Sequence, residues 1–186
     1  MSDASTSGDF ELISEELHYE AYAFDVFSTQ WRAPDGRSFQ RDLVRHMGAV
    51  AIVPVTADGH LLMVRQFRPA LGRWLLELPA GLRDVEGEAD VDVARRELEE
   101  EVGHVAGAIE HLITLDTAVG FTDESISIFL ATDLTETEST AHGIEEESMT
   151  VERITFDDAD RLIAAGELTD SKTVAGVLLA RRRLGR

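Results

Sequence analysis

The chain has no cysteine, which excludes disulfides and every thiolate metal site. No apolar run approaches the ~18 residues of a membrane span, and the opening stretch, Met1 to Glu16, has neither the basic start nor the apolar core of a secretory signal. Cations are scarce: 17 Lys and Arg face 36 Asp and Glu, for a net charge of -19. Binding a phosphate backbone needs a basic surface, so this balance argues against a nucleic-acid partner. The one basic cluster, Arg181 to Arg183 with Arg186, finishes a helix, where cations favour the dipole. His60, His104, His111 and His142 lack the mutual spacing of a metal site. The expectation is a soluble, cytoplasmic protein with no membrane partner. Its acidity repels an anionic substrate at long range, but screening beyond roughly 8–10 Å leaves local arginines and bound metal in control of a pocket.

A length of 186 residues with 44% hydrophobic content suits one domain with some elaboration. Phe10 to Trp31 and Ser38 to His46 alternate and carry aromatics as strands do, with Asp35-Gly36 as a hairpin turn between them. Gly48 to Val55 is almost wholly apolar, a buried strand, and Asp58-Gly59 turns the chain into a second strand at Leu61 to Phe67. Trp74 to Leu78, Ala108 to Asp116, Ser125 to Ala131 and Met149 to Ile154 read as further strands. Phe156 to Ala165 and Ser171 to Arg183 read as helices, the second with Val174, Val177, Leu178 and Leu184 at core spacing. There are no internal repeats. Helices scattered among hairpin-linked strands predict an α/β fold, a mixed sheet covered on both faces.

Chemistry concentrates in Gly81 to Gly103, GLRDVEGEADVDVARRELEEEVG. On a helix, Glu97 and Glu101 are separated by about 40° around the axis, with Glu100 beside them. Like charges so placed repel by a few tenths of a kcal/mol per pair and call for a compensating cation. A glutamate run is ordinarily just a solvated face. Here the flanks say more: Glu77-Leu78-Pro79-Ala80 ends a strand, Gly81 turns, Asp90 is placed to cap the helix, Ala94 and Leu98 supply a buried stripe, and Gly103 stops it. Oxygen-only ligands suit Mg²⁺ or Mn²⁺ rather than zinc. Glu97 and Glu101 are the primary candidates, and Glu100 an additional or shared one.

Gly81, Glu88, Arg96, Glu97, Leu98, Glu100, Glu101 and Gly103, with seven residues between Glu88 and Arg96, resemble the signature of the Nudix hydrolase family. Two features depart from it: the spacer from Gly81 to Glu88 is one residue longer, and His104 stands where an apolar residue is usual. Arg41 to Val50, Arg65-Gln66-Phe67-Arg68, Glu77 to Gly81, Gly120 to Glu124 and Lys172 to Gly176 resemble the ADP-ribose pyrophosphatase branch, in particular its actinobacterial members, which share the longer spacer. Members active on ADP-ribose commonly carry a proline where this chain has Val119.

The resemblance implies a Nudix α/β/α sandwich over residues 47–186. It also implies an N-terminal β extension, 1–46, that forms a small sheet, takes part in a homodimer and helps build the neighbouring active site. It implies Mg²⁺-dependent hydrolysis of the diphosphate of ADP-ribose, or of a related nucleoside diphosphate sugar, to AMP and ribose 5-phosphate. The alternatives are a Nudix hydrolase of another nucleotide or dinucleotide, or a nucleotide-sensing domain. Sensors often lose the box glutamates and gain a DNA-binding extension, and neither is seen here. By the same resemblance the Ala80 carbonyl joins the metal ligands. A loop acid, Glu145, Glu146 or Glu147, with Glu146 selected by counting back from Met149, is the general base. Arg96 orients the box carboxylates as their ion-pair partner. Arg65 and Arg68, on opposite faces of their strand, are candidates to hold a diphosphate or ribose, Arg68 the better placed. Glu77 can accept from a ribose hydroxyl or bond to backbone. Phe121, Asp123 and Glu124 can line the ribose pocket. Trp31 can stack on adenine from a second subunit or fill the core of its own sheet.

Overall fold

Residues 9–137 and 148–186 are described by the computed structural model, and they divide into two compact units. The first contains the chain up to Met47 together with Asp116–Glu124. Strands β1 (Glu11–Glu20), β2 (Phe24–Arg32) and β3 (Ser38–His46) form an antiparallel sheet in that order. The run expected as one strand from Phe10 to Trp31 is broken at residues 21–23, where the chain reverses and the Ala21 amide donates to the Phe24 carbonyl. A 22-residue strand would outreach any partner in a small sheet, so folding it back lets β1 pair with β2. Between β2 and β3 the expected turn is present: Gly36 adopts φ 88°, and Asp35 accepts from the Arg37 amide.

Within the same unit the Phe121 carbonyl accepts from the Val44 amide at 2.7 Å. Asp123 accepts from the His46 amide at 2.9 Å and pairs with Arg45, fastening the loop to β3.

The second unit explains itself through the period of its strands. In β4 (Ala49–Pro54), β5 (His60–Arg68) and β9 (Ser125–Glu136) nearly every position of the central stretch is apolar, so both faces must be covered. Val50, Ile52, Leu62, Val64, Phe129 and Ala131 pack with Val93, Ala94, Leu98 and Val102 of helix α1 (Asp90–Val102). The alternate residues Ala51, Val53, Leu61, Met63, Ile126, Ile128 and Leu130 pack with Phe156 and Ala159 of α2 (Phe156–Ala164) and Val177 and Ala180 of α3 (Ser171–Arg183). Strand β7 (Ala80–Leu82) runs antiparallel to β4, β4 runs parallel to β9, and β8 (His104–Asp116) completes the order β7-β4-β9-β8. A second sheet, β10-β5-β6, adds β10 (Thr150–Thr155) and β6 (Arg73–Glu77) to the two sides of β5. The result is the expected mixed α/β sandwich with a small additional sheet.

Several expectations are corrected in detail. Residues 80–82 form a short strand rather than a free turn, because their backbone groups complete the edge of β4. Ala89 is the helix N-cap, and Asp90 instead takes a bidentate pair from Arg83, whose guanidinium also reaches Ser125 and Ser127. In α3 the buried residues include Thr173, Gly176, Val177 and Ala180, while Leu178 is exposed. Small residues face the sheet there because the helix lies close to it. A Cβ on Gly176 would come within 2.6 Å of Leu78 Cδ1 and 3.1 Å of Val53 Cγ2. Gly176→Ala is therefore expected to lower stability by about 1–3 kcal/mol through overpacking; a urea midpoint equal to wild type would refute the contact.

Candidate active site

Helix α1 is amphipathic with an unusual polar face. One side buries Val93, Ala94, Leu98 and Val102, and the other presents Glu97, Glu100 and Glu101. Gly103, at φ 66°, ends it in the left-handed region by donating to the carbonyls of Glu99 and Leu98. Glu97 is almost entirely buried, and its carboxylate lies against Gly81 so closely that a Cβ there would overlap it. Glu101 reaches the same strand: its Oε2 accepts from the Ala80 amide at 2.9 Å. The carboxylates of α1 thus grip Ala80, whose carbonyl the resemblance places at the metal, and Gly81 beside it.

Arg96 supplies the cation for this acidic surface. Its Nη1 donates to Glu97 at 2.6 Å and to Glu100 at 3.5 Å, while Nη2 reaches Glu88 at 3.2 Å and Asp84 at 3.4 Å. Burial alone would ease the proton off Arg96, but bonding to Glu88 and the charges of Glu97, Glu88 and Glu100 hold its pKa above the ordinary value. Asp84 and Glu88 lie in the longer spacer, so this segment is tied into the site by charge.

Among the described residues no three His, Cys, Asp or Glu side chains are gathered into a ready metal cage. The donor set nevertheless fits a hard divalent cation. It is all oxygen, it combines a buried carboxylate with two neighbours on one helix face, and it lies on a strand whose glycine leaves the room a side chain would fill. Glu97, Glu100 and Glu101 with the Ala80 carbonyl are the residues that would hold it.

Arg68 and Glu77 join this side of the molecule. Arg68 follows Leu62, Val64 and Gln66 along the face of β5 that turns to α1, and Glu101 is among the acids whose charge acts on it. Glu77 is 1% exposed and gives both oxygens to Arg68, Oε1 to Nε and Oε2 to Nη2, each at 2.7 Å. Lys172 is its second partner. Burial alone would raise the Glu77 carboxyl, but the bonds from Arg68 and Lys172 outweigh it and hold the carboxyl below its usual value. Glu77, read as accepting from a ribose hydroxyl or bonding to backbone, is bonded in the structure to the side chains of Arg68 and Lys172. Arg65 does not join the group: it lies on the other face of β5, paired with Glu152 of β10.

The remaining candidates belong to the first unit. Asp123 is bonded to Arg45 and His46, Glu124 accepts from Thr117 and stands 3.8 Å from His46, and Phe121 is half exposed. Trp31 is part-buried in its sheet, donating its indole N–H to the buried Thr29 at 2.9 Å. Glu145, Glu146 and Glu147 lie outside the described residues.

Sequence reading missed Lys172, Asp170 and Thr173. One signal was available: a lysine two places after a helix-capping aspartate sits in the first turn, where a cation is disfavoured and needs a reason.

A helix of carboxylates clamped on a glycine-bearing strand, inside a two-faced mixed-sheet sandwich, is a scaffold whose oxygen donors fit a divalent cation. The chain belongs to the Nudix family: residues 45–183 match the NUDIX domain. It is 44% identical over 170 residues to the ADP-ribose pyrophosphatase of Mycobacterium tuberculosis, spanning 91% of this chain and 82% of that protein. It is 35% identical over 165 residues to the ADP-ribose pyrophosphatase of Bacillus subtilis, spanning 89% of each. The crystal structure of an ADP compounds hydrolase shares the fold, with a TM-score of 0.84 at 24% identity over 98% of this chain and 97% of that one.

The Gly81 contact is directly testable. In Gly81→Ala the added methyl must displace the end of a flexible side chain, the Glu97 carboxylate, so the protein is expected to fold with a melting temperature near wild type while Mg²⁺-dependent turnover falls at least about tenfold. Full activity in a folded Gly81→Ala protein would remove Glu97 from the site.

Proposed function

We propose that this protein hydrolyses the diphosphate of ADP-ribose, releasing AMP and ribose 5-phosphate, with Mg²⁺ or, in its place, Mn²⁺. The observation that carries the reading is the double grip of α1 on β7, Glu97 against Gly81 and Glu101 on the Ala80 amide, with Arg68 on the same side. The choice of ADP-ribose rests on the activity named for the two relatives, which align with most of this chain.

The diphosphate linkage is kinetically inert, so catalysis depends on positioning and on charge placed where it develops. A water oxygen adds to one phosphorus while the bond from that phosphorus to the bridging oxygen breaks, and the bridging oxygen leaves with the other phosphate. Glu146 takes the proton of that water. Arg68, held flat by Glu77, turns its remaining N–H groups to the diphosphate oxygens. Glu97, Glu100, Glu101 and the Ala80 carbonyl would hold a divalent ion, which would supply positive charge against the diphosphate and make a water easier to deprotonate. Arg96 keeps the carboxylates of α1 in register for it. Phe121, Asp123 and Glu124 are proposed to border the ribose, and Trp31 of a second subunit the adenine, unless Trp31 serves only the core of its own sheet.

A panel of ADP-ribose, ADP-glucose, NADH, GDP-mannose and 8-oxo-dGTP, with and without Mg²⁺, tests the reading. ADP-ribose should be turned over best and only with the metal. Glu97→Gln/Glu101→Gln should lose at least about a hundredfold and Glu146→Gln about 10²–10⁴-fold in kcat. Tight binding of one compound without turnover of any would make the protein a sensor instead.

The first unit is proposed to form a homodimer, and the reading places the protein in the cytoplasm. Strand β1 is at the edge of its sheet and exposes Leu12, Ile13, Leu17 and Tyr19, with Phe10 just before it. An edge so apolar is a template for pairing unless covered. Light scattering should give twice the monomer mass for wild type, and Leu12→Lys/Leu17→Lys should shift it toward monomer; a monomeric wild type would end the dimer proposal. Among the described residues no helix is long and apolar enough to cross a membrane.

A further inference from the structure

Lys172 has so far appeared only as a partner of Glu77, and its placement is costly. It stands at the second position of α3, where the helix dipole disfavours a cation, and its side chain is 8% exposed. Its Nζ donates to Glu77 Oε2 and, at 2.9 Å, to Asp170 Oδ2. Asp170 is fixed in turn as the α3 cap, accepting from both the amide and the hydroxyl of Thr173. The Thr173 hydroxyl also accepts from the Leu78 amide, which ties the helix to the chain two residues before Ala80. Along this line of bonds the charges alternate, Asp170, Lys172, Glu77, then Arg68, with Lys172 and Glu77 the most buried members. Only Arg68 is substantially exposed, at 38%.

We propose that Lys172 is a positioning residue for the diphosphate. It balances one of the two carboxylates of this group, so that the fork holding Arg68 orients the guanidinium without leaving the group net negative. Nε and Nη2 of Arg68 are committed to Glu77, and Nη1 makes no bond among the described residues. With Lys172 present, the four charges cancel, each carboxylate is matched by a cation, and the Arg68 guanidinium lies at the exposed end, on the side of α1. With Lys172 neutral, Asp170 and Glu77 set two negative charges against one guanidinium, the group carries a net negative charge, and the diphosphate meets a weaker positive potential at Arg68. Through Thr173 and Leu78 the same helix also fixes the approach to Ala80. This inference rests on the reading that Arg68 meets the diphosphate.

Calorimetric binding of ADP and AMP in Mg²⁺ buffer, with steady-state turnover of ADP-ribose, tests it. Lys172→Met should weaken ADP binding about tenfold and raise KM by a similar factor, with kcat altered less than about threefold and AMP binding nearly unchanged. Lys172→Arg, which keeps the charge, should restore most of the loss. On an Arg68→Gln background, Lys172→Met should cost nothing more, because the effect runs through Arg68. Removing Lys172 alone leaves Glu77 buried with fewer partners, so Glu77→Gln/Lys172→Met, which also removes the Glu77 charge, serves as the second variant. It too should weaken ADP, by at least about fivefold, since the fork is gone. ADP binding within twofold of wild type in either folded variant, or an undiminished loss on the Arg68→Gln background, overturns the proposal. A wild type that binds ADP but leaves ADP-ribose intact overturns the substrate assignment instead, and the Lys172 effect on ADP still decides the inference. A wild type that binds neither overturns both.

Discussion

Like charges crowded on one face of α1 are the constraint around which this site is arranged. Glu97, Glu100 and Glu101 repel one another, and Arg96 and the Ala80 amide offset that repulsion only in part. The helix is held instead by its other face, where Val93, Ala94, Leu98 and Val102 meet the alternate residues of β4, β5 and β9. Burying four apolar side chains, at about 1.5–3 kcal/mol for each large one, outweighs repulsions of a few tenths. The core on one side of the helix thus makes the acidic surface on the other affordable, and Arg96 with the Ala80 amide takes up part of its charge.

The sheet beneath α1 has the same logic. Because both faces of β4 and β5 are apolar, neither strand can slip by one residue without exchanging its two cores, and that fixes the register of everything attached to them. Gly81 pairs with Val50 and Ala80 with Ala51, so the strand gripped by the carboxylates is indexed directly to the most buried strand of the molecule. Precision at the site is therefore inherited from packing.

How much of this was legible depended on whether the signal was local. The spacing of Glu97, Glu100 and Glu101, the stop at Gly103 and the apolar run of β4 are contained in short windows, and the structure has them in place. Pairing is non-local, and there the reading was less complete. Nothing within Phe10 to Trp31 says where β1 ends and β2 begins, because the break follows from which strand lies alongside. Nothing within residues 80–82 says that they complete the edge of β4. The face of α3 was misjudged for a related reason: Leu178 has the larger hydrophobic side chain, but closeness to the sheet selects Gly176 and Ala180. Glu77 stayed open between a ribose hydroxyl and the backbone because its buried cation partner, Lys172, is 95 residues further on.

Two arginines on this acidic chain have opposite duties, and their surroundings separate them. Arg96 faces four carboxylates, more negative charge than it can neutralise, so its own charge is spent inside the protein. Arg68 has one direct carboxylate partner, and that partner is shared with a buried lysine. At a net charge of -19 the field beyond a Debye length of roughly 8 Å offers an anionic ligand no attraction. A diphosphate can then be held only by cations that meet it at contact distance and have charge left to give. By that criterion Arg96 belongs to the carboxylates and Arg68 is the arginine proposed for the ligand, with the difference between them assigned by that proposal to Lys172, on a helix that contributes no residue of its own to the acidic face.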